Sequence, residues 1–381
     1  MIIMLLMIAP ETGFCLTENS KVSILTTELG NQLYTIFGHT AIRITDDSLN
    51  IDRVYNFGTF DFSSSFFYLN FLKGNLDYFL SIDDYANFIY NSQLEQRKVY
   101  EQILNLNFNE RLRLFNRLES QYNSDDRYYK YDFFYNNCAT RVRDAIFNAK
   151  TDPTEYDMNS YCCLTFRQLL IPYVSKNYWI DFVINISLGK EADRVARPTD
   201  YMFLPYFVMR ILQDARIVNK KSIVIDAPIS NNTKFNYSHL SAWLSASLII
   251  LLSLIAKYRK AIFYTFISLV GLIGLILLTV SLVSDNPAFS SNFNTIWTIP
   301  SLLVLLIRNR QVNDIIKLFY ISLLISMPLF WTMLPQDFSI TFIPWIMTLV
   351  IILLWDLQWV KNTTRMLSVI CYNRKTIPFL K

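Results

Sequence analysis

Histidine is almost missing from this chain: His39 and His239 are the only two in 381 residues. Cysteine occurs five times, glycine eight times, and charged residues make up only 17%. The five cysteines form no CxxC pair, and no HxxxH spacing occurs, so neither a metal site nor a cofactor is expected. The sequence also lacks GxSxG, HExxH, P-loop and GxGxxG patterns. That removes the serine-hydrolase elbow, the zinc protease helix and both common phosphate cradles. No cluster of Lys and Arg interleaved with aromatics marks a nucleic-acid surface.

What is present is apolar surface. Hydrophobic residues reach 52%, more than an ordinary soluble domain carries. They are unevenly placed. Up to about residue 235 the chain holds most of its Asp, Glu, Asn and Tyr; after His239 it becomes long apolar runs with short polar breaks. Residues 1–16 read as a signal peptide, with Met1 to Ile8 as its apolar core, although no basic segment precedes it. Gly13-Phe14 is a poor approach to a lipidated cysteine, so a lipobox at Cys15 is not expected.

Five apolar segments follow, at His239 to Ala256, Ala261 to Val283, Thr295 to Ile307, Ile316 to Leu334 and Ile340 to Trp355. The third is short and contains Pro300; the other four are expected to cross a bilayer. Lys257, Arg259 and Lys260 lie between the first two segments, and Arg308, Arg310 and Lys317 between the third and fourth. Lys361, Arg365, Arg374, Lys375 and Lys381 follow the fifth. The stretches Ser284 to Asn294 and Pro335 to Ser339 have neither Lys nor Arg. Basic loops stay in the cytoplasm, so the N-terminal domain is expected outside it. Trp243, Trp297, Trp331, Trp345 and Trp355 stand near segment ends, as interface anchors do. The expected division is a secreted catalytic domain at 17–219, a linker at 220–238, five membrane helices at 239–360 and a cytoplasmic tail at 361–381.

In the secreted part, Val22 to Thr26, Thr40 to Thr45 and Arg53 to Gly58 read as strands. Leu94 to Tyr122 has apolar residues at helical spacing and reads as one or two helices. Cys138 to Asn148 and Phe166 to Val174 read as further helices, the first capped by Asn136 or Asn137. The fold class is α+β, an antiparallel sheet with helices packed on it.

The chemistry narrows to few residues. His239 opens a membrane segment and reads as an interfacial polar group. His39 begins a strand within Phe37-Gly38-His39-Thr40-Ala41-Ile42-Arg43-Ile44. Cys138 sits in the first turn of its helix, where backbone N–H groups favour a thiolate and can serve as an oxyanion hole. A buried structural histidine and a buried small thiol are the bland alternatives for each alone. Together they form a Cys–His acyl-transfer pair, with histidine first in sequence. That order is the reverse of papain's and suits a circularly permuted papain-like fold. The aromatic density from Tyr55 to Phe79 either lines an acyl channel or packs a core. Cys162 and Cys163 read as ordinary small residues.

Several ordered motifs resemble one family. They are the His39 run above, Tyr55-Asn56-Phe57-Gly58-Thr59-Phe60-Asp61-Phe62, and Tyr131-Asp132-Phe133-Phe134-Tyr135-Asn136-Asn137-Cys138-Ala139-Thr140-Arg141. Thr165-Phe166-Arg167, Leu188-Gly189-Lys190-Glu191-Ala192-Asp193 and Met202-Phe203-Leu204-Pro205 belong to the same set. With the five-segment tail, they resemble the lipoprotein N-acyltransferase Lnb family over nearly the whole mature chain. The resemblance implies a fold related to the permuted NlpC/P60 group, with Cys138 as nucleophile and His39 as base. It implies a phospholipid acyl donor, a bacterial lipoprotein acceptor and an inner-membrane location. Asn56, on the next strand, is the candidate for orienting His39, with a strand-end hydrogen bonder as the alternative. Arg167 and Asp193 match motif positions without an assigned role. Two other readings remain open: a cysteine amidase or peptidase acting on cell-wall peptide, and a non-enzymatic membrane-tethered binding module.

Overall fold

The computed structural model describes residues 15–30, 32, 35–60, 70, 73–151, 160–227, 238–307 and 310–357. The N-terminal part is built on a seven-stranded antiparallel sheet. Its strands are β1 (Lys21–Thr27), β2 (His39–Asp46), β3 (Ile51–Thr59), β4 (Asp77–Asp84), β5 (Val99–Leu104), β6 (Tyr128–Lys130) and β7 (Val218–Ile225). Their order across the sheet is β6-β4-β3-β2-β1-β5-β7. The helices of this part are α1 (Tyr85–Leu94), α2 (Phe108–Tyr122), α3 (Cys138–Ala149), α4 (Phe166–Val174), α5 (Tyr178–Ser187) and α6 (Pro205–Asp214).

Strand alternation sorts side chains to two faces. Ile24, Ile42, Ile44, Tyr55 and Phe57 face a large core completed by Leu114, Phe115 and Leu118 of α2 and Val142 and Ile146 of α3. Leu25, Ala41, Val54 and Val99 face a smaller one closed by Phe88 of α1. Asn137, not Asn136, caps α3: its Oδ1 accepts from Ala139 N–H at 2.9 Å and Thr140 N–H at 3.0 Å. Its Nδ2 donates to the carbonyls of Phe133 and Phe203, which locks the start of α3 to two other segments.

The expected helix from Leu94 to Tyr122 is half strand. Val99–Leu104 pairs with β1 on one side and β7 on the other, and only Phe108–Tyr122 is helical. Sheet pairing overrides a spacing that reads equally well as a helix. The expected linker at 220–238 likewise begins as β7, whose pairing with β5 hydrogen-bonds its polar Lys–Lys–Ser stretch at the sheet edge. Residues 228–237 of that linker lie outside the described residues, as do nearly all of 1–16 and all of 361–381.

The C-terminal part is helical: α7 (Ser238–Leu254), α8 (Ala256–Val283), α9 (Thr295–Thr298), α10 (Arg310–Trp331) and α11 (Ile343–Asp356). Among the described residues, Ala256–Val283 and Asn313–Trp331 are long and apolar enough to cross a membrane. The first and fifth expected spans are shorter, as helices of 17 and 14 residues. The third is one helical turn followed by a 3-10 stretch over Pro300–Leu306, because proline cannot continue an α-helical ladder. Lys257, Arg259 and Lys260 are not in a loop but in the first turns of α8, directly after α7 ends.

The two stretches without Lys or Arg close against the N-terminal part. Gly189 N–H donates to the Ala288 carbonyl at 2.8 Å, and Asp285 N–H to that of Lys73 at 3.0 Å. Asn292 Nδ2 donates to the carbonyls of Ile186 (2.7 Å) and Ser187 (3.0 Å), and Gln336 Nε2 to that of Leu188 (3.2 Å). The apolar seating is reciprocal. Phe289 and Ala288 belong to the large core of the N-terminal part, whereas Ile186 of α5 belongs to the core of the helical part. A Cβ on Gly189 would stand 1.9 Å from the Ser290 carbonyl oxygen, so only glycine fits there. At the opposite end of the bundle, Lys317 pairs with Asp314 and Asp356, and Arg259 lies over Trp355.

Arg167 and Asp193 hold this junction in shape. They form a buried bidentate pair, Nε to Oδ1 at 2.7 Å and Nη2 to Oδ2 at 2.9 Å. Arg167 Nη1 also reaches Asn185 Oδ1 at 2.8 Å, tying α4 to the end of α5. Removing the guanidinium strands a buried carboxylate, so Arg167→Ala is expected to cost about 3–5 kcal/mol. Arg167→Lys is expected to recover only part of that, since an ammonium cannot make the forked contact. Thermal unfolding of the detergent-solubilised full chain checks both.

Candidate functional site

The start of α3 lies over β2 and β3. A Cβ placed on Gly58 of β3 would be 3.3 Å from the Cys138 Cβ, so the two backbones meet there. The backbone amides of Thr40, Ala139 and Cys138 itself lie near enough to the sulfur to lower its pKa. Thr40 follows His39 directly, so the sulfur sits against the strand backbone that carries the histidine.

His39 is held by a relay. Its Nε2 lies 3.1 Å from Asn56 Oδ1, and Asn56 Nδ2 donates to Asp83 Oδ2 at 2.7 Å. The carboxylate accepts only, which fixes the amide with its oxygen toward the ring. Nε2 must then carry the proton and donate it to Asn56, leaving Nδ1 with a free lone pair. The three residues sit on successive strands β2, β3 and β4, at positions that alternation sends to one face.

The structure thus brings His39 and Asn56 into direct contact and brings Cys138 to the neighbouring backbone. Among the described residues no hydrogen bond joins the sulfur to the imidazole; the Thr40 amide is the part of the β2 backbone that acts on the thiol. Cys138 and His39 are both half-buried. His239 is remote from this chemistry; it contacts the Ser175 carbonyl and the Tyr178 ring.

The electrostatics favour neutral forms. Burial lowers the His39 pKa to about 4, against the Asn56 bond, which raises it. Burial also pushes the Cys138 thiol up to about 11, outweighing the three backbone amides that lower it. The helix start was expected to favour a thiolate; desolvation is the larger effect here. Burial raises Asp83 as well, against its Asn56 bond.

Sequence reasoning missed Asp83 and Arg97. Asp83 lies at the polar end of a strand that the sequence reading did not identify. Arg97 is buried between α1 and β5, with Nε on the Glu28 carbonyl and Nη1 on Glu95. Its charge lowers the pKa of both His39 and Cys138. Among the described residues, Arg97 Nη2 has no hydrogen-bond partner. That turn was read as helix interior, so nothing marked the arginine.

Of the Tyr55–Phe79 aromatics, Tyr55 and Phe57 are buried in the core. Phe60 packs on Tyr78, and Tyr78 stacks on Tyr131 at 4.3 Å, forming a wall near Cys138 whose phenol pKa values are raised, chiefly by burial. Phe62, Phe66, Phe67, Tyr68 and Phe71 lie outside the described residues.

Comparison with known proteins places this architecture. Residues 16–170 match the Lnb N-terminal periplasmic domain, and residues 233–363 match the Lnb transmembrane domain. No curated protein and no solved structure matches the chain. The two matched regions correspond to the sheet-rich part with its His39–Asn56 relay and to the helical part docked beneath it. The chain is a membrane protein with a periplasmic N-terminal domain, and it belongs to the Lnb family.

Proposed function

We propose that this protein is a lipoprotein N-acyltransferase of the bacterial inner membrane, with Cys138 as nucleophile, His39 as base and Asn56 as the group that orients the base. In this reading the N-terminal domain, on a permuted papain-like fold, works at the periplasmic face. The helical part crosses the bilayer five times. A phospholipid supplies the acyl chain, and the α-amine of a diacylglyceryl-Cys lipoprotein receives it. The observation that supports the reading is the Thr40 amide acting on the Cys138 sulfur, one residue along β2 from a His39 whose proton position the Asn56–Asp83 relay fixes.

The proton states suit a step in which proton transfer and attack are concerted. At neutral pH the ring is unprotonated and the thiol retains its proton. As an ester carbonyl arrives, Nδ1 of His39 takes the thiol proton and the sulfur bonds to the carbonyl carbon. The tetrahedral oxyanion needs donors, and the amides that lower the pKa of the resting thiol can supply them. Collapse expels the glycerol oxygen, which takes the proton back from His39, leaving a thioester and a lysophospholipid. The neutral lipoprotein amine then attacks the thioester carbonyl, His39 removes its proton, and the thiolate leaves and is reprotonated. An amide has replaced the ester.

Cys138→Ser and His39→Gln are each expected to reduce N-linked acyl chain on a reporter lipoprotein by at least about 100-fold. Mass spectrometry of the lipoprotein N-terminus in cells relying on the variant checks this. Normal N-acylation by Cys138→Ser would overturn the reading, and altered wall peptides beside intact lipoprotein would point to an amidase. With the thiol at about 11, alkylation of Cys138 by iodoacetamide is expected to quicken about tenfold per pH unit between about pH 7 and 10. A plateau reached below about pH 8.5, the ordinary range of a free cysteine, would contradict that proton state.

A further inference from the structure

Beside the site an aromatic seam remains partly uncovered. Phe133 and Phe37 have ring centroids 5.3 Å apart, and Phe37 and Tyr173 5.7 Å apart. All three are half-buried, whereas Phe134, Phe166 and Phe203 beneath them are buried. The buried rings are the core; the seam is an apolar surface left open above it.

Its two ends are anchored differently. At one end the Phe133 carbonyl receives Asn137, the cap immediately before Cys138, and Phe37 stands two residues before His39. At the other end Tyr173 lies two residues before Ser175, whose carbonyl contacts His239 at the start of α7. α7 is the first helix of the transmembrane domain. Exposed Ile171 and Tyr206 border the Tyr173 end. The seam therefore runs from the segments that carry Cys138 and His39 to the start of the transmembrane domain.

We propose that Phe133, Phe37 and Tyr173 form the track that holds the acyl chain of the donor phospholipid. This rests on the acyl-transfer reading above and names the part of the protein that meets the chain. Continuity decides the occupant. An acyl carbonyl bonded to Cys138 must send its hydrocarbon tail along apolar surface, and the tail comes from the bilayer at the other end. Ring faces bury methylene groups without leaving a polar group unpaired. The Phe60–Tyr78–Tyr131 wall is less open, since Tyr78 at its centre is buried in the large core.

The test is photo-crosslinking of the full chain in vesicles of phosphatidylethanolamine bearing a diazirine along the acyl chain. The Cys138→Ser protein is used, so the map does not depend on transfer. Label on peptides containing Phe37, Phe133 and Tyr173 is expected, falling at least about fivefold in Phe37→Trp, whose larger ring fills the seam. Label confined to the helical part or to the Tyr78–Tyr131 wall would overturn the proposal. So would seam label from a diazirine diacylglyceryl lipopeptide but not from phospholipid. In active protein, Tyr173→Trp is expected to shift N-linked chains toward shorter lengths by at least about tenfold. An unchanged length distribution would also overturn it. Seam label combined with wild-type protein that transfers no acyl chain would sink the transferase reading and leave the seam as a lipid site.

Discussion

The arrangement of this protein depends on the reciprocal seating of its two parts. Ile186 of α5 is packed into the helical bundle, and Phe289 from the bundle is packed into the core of the periplasmic domain. Each part buries a side chain that belongs to the other. The hydrogen bonds around Gly189, Asn292 and Gln336 then satisfy backbone groups that this contact takes out of water. A tether alone would leave the domain free to tumble above the bilayer. This joint fixes how the domain is seated on the helical part.

The candidate site itself is assembled from short distances in sequence and long ones in space. Strands β2, β3 and β4 supply His39, Asn56 and Asp83 in a row, and the start of α3 brings Cys138 against Gly58 and near the Thr40 amide at the same end of the sheet. Burial then sets the protonation. A solvated pair in this geometry would tend toward an imidazolium and a thiolate; here desolvation penalises both charges. The resting site is electrically quiet, although Arg97 lies close enough to bias both groups toward their less protonated forms.

Much of this was legible in the sequence, for identifiable reasons. β1, β2 and β3 alternate strongly and are flanked by polar turns, so their periodicity was unambiguous. α3 and α4 carry their own caps, Asn137 and Thr165. The division between a polar half and an apolar half followed from composition. The failures have physical causes too. Val99–Leu104 has spacing that suits either a helix or a strand, and only its partners β1 and β7 decide. α5 is so apolar that it reads as neither a membrane span nor a surface helix, because it is shared between two cores. Arg167 and Asp193 appeared as motif residues without a task, since a buried pair can be recognised only when both ends of its contact are in view.

Phe289 also bears on how the molecule is made. The N-terminal sheet and its helices are complete in sequence by the end of β7, yet one of the side chains in their core arrives more than sixty residues later, after α8. During synthesis the domain therefore waits with an unfilled position until the second helix of the membrane part has been laid down and its following turn has come back to the outer surface. Completion of the periplasmic core is coupled in this way to synthesis of the transmembrane domain: a chain stalled before residue 289 would carry Cys138 on an unfinished scaffold.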